Sequence, residues 1–134
     1  MKSKKKILIV DSHPLVREKL SKLINLEEDV HVCGGTEDVQ DALERIEEHK
    51  PDLAIVDIKQ RTHQGLDSIR AIRTRFPGVS VLVVSLHDGA RFVEMAIQAG
   101  ANGYLDKQMA ATRIMTAIRT VLRGDVYRDR QDSD

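Results

Sequence analysis

Short apolar runs separated by segments of helical period constrain the fold of this chain more than any other feature. The runs span residues 7–10, 30–33 (interrupted by His31), 53–56, 79–84 (interrupted by Ser80) and 103–105. The segments between them repeat apolar residues at the spacing of amphipathic helices. Strands that are apolar at every position are buried on both faces, which indicates a parallel sheet covered by helices on both sides. We therefore predict a doubly wound α/β fold with a five-stranded parallel sheet.

Composition and charge exclude several classes of protein. The 134 residues fit one domain, and Lys+Arg and Asp+Glu are equal at 21 each, so the formal net charge is zero. A dedicated nucleic-acid binder would show a basic excess, so we expect no direct nucleic-acid binding. No apolar run is long enough to span a membrane, so we expect no membrane contact. The single cysteine, Cys33, excludes an internal disulfide and fits a reducing compartment, which predicts a cytoplasmic protein.

The chain divides into three segments by composition. Residues 1–5 are a basic lead-in, residues 6–124 form the predicted domain, and residues 125–134 are a polar tail or the start of a linker. The apolar stretch behind the lead-in is too short for a signal peptide and ends at once in Asp11.

Polar side chains follow four of the predicted strands, at the edge where ligands of open parallel sheets bind. Asp11, Asp57 and Ser85 directly follow apolar runs, and Lys107 lies two residues after the last run. Each alone is an ordinary turn, cap or solvated residue. Together they place two carboxylates, a hydroxyl and an ammonium at one edge, a set that suits phosphoryl chemistry with a divalent cation.

The sequence resembles a known family at these same positions. The stretches are ILIVD at 7–11, PDLAIVD at 51–57, VS at 84–85 and GYLDK at 103–107. In this order they resemble the receiver domain of bacterial two-component response regulators, over roughly residues 5–124. The HP pair at 13–14 and the stretch 99–105 resemble the subfamily in which a helix-turn-helix DNA-binding domain follows. The resemblance implies a flavodoxin-like (β/α)5 fold.

The resemblance also implies a phosphorylation site and a metal site. Asp57 would accept a phosphoryl group from a histidine kinase, and Asp57, Asp11 and the backbone carbonyl of Lys59 would hold Mg²⁺. The family's usual second acid after the first strand, normally the direct metal ligand, is here Ser12. A serine hydroxyl is a neutral and weak Mg²⁺ ligand, so we expect a weakened affinity. The Lys59 ammonium could partly replace the metal charge, although a solvated lysine is the simpler interpretation.

The resemblance further implies a switch. Ser85 and Lys107 would contact the phosphoryl group, and Tyr104 would be the aromatic residue whose inward or outward rotamer reports activation. The face formed by the fourth helix, fifth strand and fifth helix would then change its partner preference, and the helical faces offer a surface for a homodimer.

Two other functions stay open at the level of sequence. The first is a pseudo-receiver, an interaction module that binds its partner without phosphorylation, with Ser12 marking lost metal chemistry. The second is a small phosphatase or flavodoxin-like enzyme, which the missing second acid, the missing phosphate loop and the scarcity of aromatic residues disfavour. We predict a signalling domain rather than an enzyme. We assign no metal to the histidines, because they show no metal-ligand spacing: His13, His31, His49, His63 and His87.

Overall fold

The computed structural model describes residues 3–58, 63–86 and 89–129, in which strands and helices alternate. The strands are β1 (Lys5–Val10), β2 (Val30–Thr36), β3 (Leu53–Asp57), β4 (Ser80–Ser85), β5 (Gly103–Asp106) and β6 (Tyr127–Arg128). The helices are α1 (Pro14–Asn25), α2 (Val39–His49), α3 (His63–Arg75), α4 (Ala90–Gln98) and α5 (Ala110–Leu122). A short 3-10 helix, Lys107–Met109, joins β5 to α5.

The strands form one parallel sheet in the order β2-β1-β3-β4-β5-β6. This order confirms the doubly wound fold, because the chain leaves β1 toward one edge and returns at β3 to run toward the other. In the part of the chain that the structure describes, the sheet has six strands, one more than the five predicted. The sixth strand, Tyr127–Arg128, lies inside the segment predicted as a polar tail and pairs with Gly103 and Tyr104. At the other end of the chain, β1 already begins at Lys5, the last residue of the predicted lead-in.

Both faces of the sheet are covered by apolar side chains. Ala54 and Val56 of β3 pack on the face that carries α2, α3 and α4. Leu53 and Ile55 of the same strand pack on the opposite face, against α1 and α5. The alternation explains why the central strands are apolar at successive positions, 53–56 in β3 and 81–84 in β4. No helix among the described residues is long and apolar enough to cross a membrane.

The register of the central strands places the site. Val10 pairs with Val56, so the residues that follow them, Asp11 and Asp57, emerge side by side at the carboxyl edge. Ser85 of β4 pairs with Asp106 of the neighbouring strand β5, which brings Lys107 to the same edge. This edge is also the switch point between β1 and β3, where ligands of such sheets bind.

Candidate functional site

Two buried carboxylates and one ammonium meet at the switch point. The side chains of Asp11 and Asp57 are only 4% and 5% exposed. The Nζ atom of Lys107 lies 3.2 Å from Oδ2 of Asp11 and 3.1 Å from Oδ2 of Asp57. The structure therefore brings together three of the four side chains that the strand-end argument placed at this edge.

The electrostatics of the cluster act most strongly on Asp57. Burial raises the pKa of the Asp57 carboxyl, and the negative charge of Asp11 raises this pKa further. Lys107 and, to a smaller extent, His13 oppose the rise. With both carboxylates ionised and one ammonium between them, the three side chains carry a net charge of −1, which attracts a cation.

Lys107 owes its position to the turn that follows β5. The side chain of Asp106 accepts a hydrogen bond of 3.0 Å from the backbone N–H of Gln108 and so caps the short 3-10 helix. The backbone N–H of Asp106 donates at 2.6 Å to Oδ2 of Asp129, beyond the last strand. These two bonds fix the backbone beside Lys107, and the side chain then reaches across to β1 and β3.

His13 belongs to the cluster, and the sequence analysis missed it. Its Nδ1 atom lies 2.9 Å from Oδ1 of Asp11, and its backbone N–H donates to the same oxygen at 2.8 Å. Lys107 Nζ lies 3.5 Å from the same Nδ1. The useful signal was the Asp-x-His spacing at a strand end directly before Pro14, since the proline starts α1 and holds the preceding residue near the strand end.

Ser85 and Tyr104 lie on the β4 and β5 side of the site, and both are buried. The Ser85 hydroxyl donates to the backbone carbonyl of Ile58, 3.1 Å away, just past Asp57. The Tyr104 ring points inward and meets Phe92 edge to face, with centroids 6.2 Å apart and planes at 78°. Of the two rotamers expected for Tyr104, the structure has the inward one.

The donor set can accept a divalent metal ion. Ligand atoms of Asp11, His13 and Asp57 all lie within 4.8 Å of one another. Carboxylate oxygens are the ligands that Mg²⁺ prefers, and two of them face one site here. The residues therefore fit the metal that the resemblance implies, with an imidazole nitrogen beside them.

Comparison with known proteins gives the family. Residues 7–119 match the response regulator receiver domain. The chain belongs to this family. A receiver of this family is a signalling domain of two-component regulation, in agreement with the prediction from the four motifs.

Relatives of this receiver include transcriptional regulators. It is 34% identical, over 125 residues, to the transcriptional regulatory protein DegU of Brevibacillus brevis, covering 93% of this chain and 53% of that protein. The receiver thus spans about half the length of such relatives.

Solved structures confirm the flavodoxin-like fold of this receiver. A LuxR-family two-component response regulator from Aurantimonas sp. SI85-9A1 superposes with a TM-score of 0.85 at 30% identity, covering 93% of this chain and 89% of that one. The signal receiver domain of the putative regulator NarL from Mycobacterium tuberculosis gives 0.81 at 34% identity, covering 91% and 98%.

Two further residues belong to the metal site that the resemblance implies. Ser12 is half-buried and lines, with Asp57, a cleft of about 620 Å³ between the first turns of α2 and α3. It stands where the second acid is expected, so the cleft offers a neutral hydroxyl there. Lys59 lies outside the described residues, and the roles expected for its backbone carbonyl and its ammonium stay predictions.

Proposed function

We propose that this receiver accepts a phosphoryl group on Asp57 from a histidine kinase and signals through the resulting change of conformation. The observation that carries the proposal is the placement of Asp57, buried beside Asp11 and in contact with the Lys107 ammonium at the switch point of the sheet. A carboxylate kept beside a like charge is poised to react with an electrophilic phosphorus.

The chemistry needs little from the protein beyond positioning and charge. An oxygen of Asp57 attacks phosphorus while the bond from phosphorus to the phosphohistidine nitrogen breaks. Lys107 holds Oδ2 of Asp57, so we assign the attack to Oδ1, and the ammonium then neutralises charge on the phosphoryl oxygens. Mg²⁺, held by Asp11, Asp57 and the carbonyl of Lys59, would supply the remaining positive charge, with Ser12 a weak contributor.

Ser85 and Tyr104 connect the acceptor to the outer face in this proposal. The Ser85 hydroxyl is bonded to the backbone one residue past Asp57, and a new phosphoryl group offers it stronger acceptor oxygens. The ring of Tyr104 extends from β5 to Phe92 of α4. A change of its rotamer would therefore shift the face made by α4, β5 and α5. We propose that this shift controls a homodimer or the activity of a DNA-binding domain, as in a transcriptional regulator.

The test is phosphorylation by a small-molecule phosphodonor with and without Mg²⁺, followed by intact mass. We expect a Mg²⁺-dependent gain of one phosphoryl group in the wild type and none in Asp57→Ala. Asp125→Ala is the matched control, because it removes an exposed carboxylate that pairs only with Arg123 at 3.6 Å among the described residues. No gain in wild-type protein shown to be folded would contradict the proposal.

A pseudo-receiver remains the second candidate because of one specific observation. Ser12 leaves the cleft beside Asp57 one charge short, and Lys107 already bridges the two remaining carboxylates. Ser12→Asp distinguishes the two functions. If the wild type gains no phosphoryl group and Ser12→Asp gains one at the same Mg²⁺ concentration, the substitution at position 12 has switched phosphorylation off.

A further inference from the structure

We propose that His13 is a metal ligand of this receiver, so that the site beside Asp57 favours a divalent transition-metal ion such as Mn²⁺, Co²⁺ or Zn²⁺ more strongly than a site of oxygen ligands would. The proposal concerns which ion binds, and it deepens the proposed function by naming the cofactor class of the same site. It stands on the geometry of the cluster and on the chemistry of its ligands.

The distance between the two nearest ligand atoms already suits a metal. Nδ1 of His13 and Oδ1 of Asp11 are 2.9 Å apart. Two ligands bound at right angles, each about 2.1 Å from one metal ion, are about 3.0 Å apart. The imidazole and the carboxylate therefore stand at the separation of neighbouring ligands before any ion binds, and little reorganisation is needed.

The ammonium and the imidazole approach different oxygens of Asp11. Lys107 lies next to Oδ2 of both carboxylates, whereas His13 lies next to Oδ1 of Asp11. A cation on the Oδ1 side would thus have the imidazole as neighbour while Lys107 keeps its contacts with Oδ2 of both carboxylates. Its 3.5 Å contact with Nδ1 of His13 would give way to the ion. Among the described residues of the cluster two carboxylates face one ammonium, so their side chains still attract positive charge.

The backbone holds His13 in this place. Its N–H donates to Oδ1 of Asp11, and the next residue, Pro14, has a fixed φ and occupies the first turn of α1. The ring is 57% exposed, so ions can reach it from solvent. The cleft of about 620 Å³ lined by Ser12 and Asp57 leaves open space beside the Asp57 carboxylate.

The donor chemistry decides the choice of ion. Mg²⁺ takes oxygen ligands almost exclusively, whereas imidazole suits zinc, iron and other first-row transition ions. Ser12 replaces the expected carboxylate by a neutral oxygen, which weakens the site for Mg²⁺. His13 adds a nitrogen, which strengthens it for a transition metal.

Direct binding measurements without a phosphodonor test the proposal. Co²⁺ is the probe, because its visible absorption changes when a nitrogen ligand is lost, and Mg²⁺ affinity is measured by calorimetry on the same samples. The variants are His13→Ala and, as matched control, His31→Ala on β2, which is outside the cluster. Circular dichroism confirms that each variant is folded.

We expect His13→Ala to weaken Co²⁺ binding at least about tenfold and to change the Co²⁺ spectrum, with a much smaller loss for Mg²⁺. We expect His31→Ala to match the wild type. Any divalent site favours Co²⁺ over Mg²⁺ to some degree, so the measured quantity is the change in the ratio of the two affinities.

An unchanged affinity ratio and spectrum in His13→Ala would overturn the proposal, and so would an equal loss in both variants. The result is separable from the proposed function, because phosphorylation of Asp57 is scored by mass and metal preference by spectrum. If Asp57 is phosphorylated and His13 has no role in metal binding, the proposed function stands and the metal proposal fails. If His13 binds the metal but Asp57 gains no phosphoryl group, the metal proposal stands and the proposed function fails.

Discussion

Asp57 and Asp129 are equally buried, with side chains 5% exposed, but the protein surrounds them very differently. Asp129 accepts hydrogen bonds from the backbone N–H of Asp106 at 2.6 Å, from Arg113 at 3.1 Å and from the Tyr127 hydroxyl at 2.8 Å. Among the residues that the structure describes, Asp57 contacts one ammonium, that of Lys107, which it shares with the like-charged Asp11. Three hydrogen-bond donors therefore satisfy the buried Asp129 carboxylate. Burial and repulsion from Asp11 destabilise the ionised Asp57 carboxylate, and they raise its pKa.

The difference separates a structural carboxylate from a reactive one. Asp129 ties the end of the described chain to β5 and α5, since its partners lie on both elements. The hydrogen bond from the Asp106 N–H to Asp129 also fixes the backbone of Asp106, the residue before Lys107. The satisfied aspartate thus helps to hold the ammonium that faces the unsatisfied one, and the two sites are linked through β5.

The largest effect on stability is expected from removing the satisfied carboxylate. Asp129→Ala deletes three acceptor contacts and leaves the Asp106 N–H without this partner, so we expect the free energy of unfolding to fall by about 2 kcal/mol. Urea denaturation measures it. Amide hydrogen exchange should show that β6 opens more readily.

Asp125→Ala is the control for this prediction. Its side chain is 67% exposed and pairs with an equally exposed Arg123, so the change should stay within about 0.5 kcal/mol. A loss of similar size in both variants would show that Asp129 behaves as a surface charge, and the comparison with Asp57 would then fail.

Removing the negative charge of Asp57 should change the free energy of unfolding in the opposite direction. Asp57→Asn keeps the size of the side chain and removes the repulsion with Asp11, so we expect stability at neutral pH to rise on the order of 1 kcal/mol. Because the folded-state pKa of Asp57 is raised, the wild type loses stability as pH rises from the ordinary carboxyl value through that raised pKa. The advantage of the variant should therefore vanish below about pH 4.

Urea denaturation of both proteins over a series of pH values checks the second prediction. A constant difference at every pH would mean that the gain comes from packing or hydrogen bonding of the amide and not from the charge. A loss of stability in Asp57→Asn at neutral pH would show that the contact with Lys107 outweighs both burial and repulsion.

The sequence predicted the site better than it predicted the contacts that support it. Asp11, Asp57 and Lys107 were placed together because apolar strands in a parallel sheet end at a common edge, a rule that needs no tertiary detail. The two residues of β6 are too few to show a period. The partners of Asp129 depend on how the chain packs after α5, and they lie up to 23 residues away. No local pattern records such a contact.

His13 was missed for a related reason. Its distance to Asp11 depends on the turn between β1 and α1, and two residues of separation match no common histidine metal motif. Ser12 was noticed because the family pattern marks its position. The pattern marks His13 only as part of the HP pair at 13–14, and the geometry alone puts its imidazole beside the carboxylate.

The smallest effect on stability is expected from a substitution of Tyr127, whose hydroxyl donates one hydrogen bond to Asp129. Tyr127→Phe removes one hydrogen bond to Asp129 and should lower stability by about 0.5–1 kcal/mol, less than Asp129→Ala. Burial, together with the bond to Asp129, raises the pKa of Tyr127 to about 12. The contribution of the hydroxyl is then complete below the ordinary tyrosine pKa of about 10 and is lost as pH rises through the folded value.

Ultraviolet titration of tyrosinate, in a Tyr104→Phe background that leaves Tyr127 as the sole tyrosine, measures this pKa directly. Adding Asp129→Ala should lower it, because the acceptor and its negative charge both favour the protonated phenol. A titration near the ordinary value in the parent would show that the phenol does not bond to Asp129. Asp129 would then keep only its bonds to Asp106 and Arg113, and its environment would be closer to that of Asp57 than the three-donor arrangement implies.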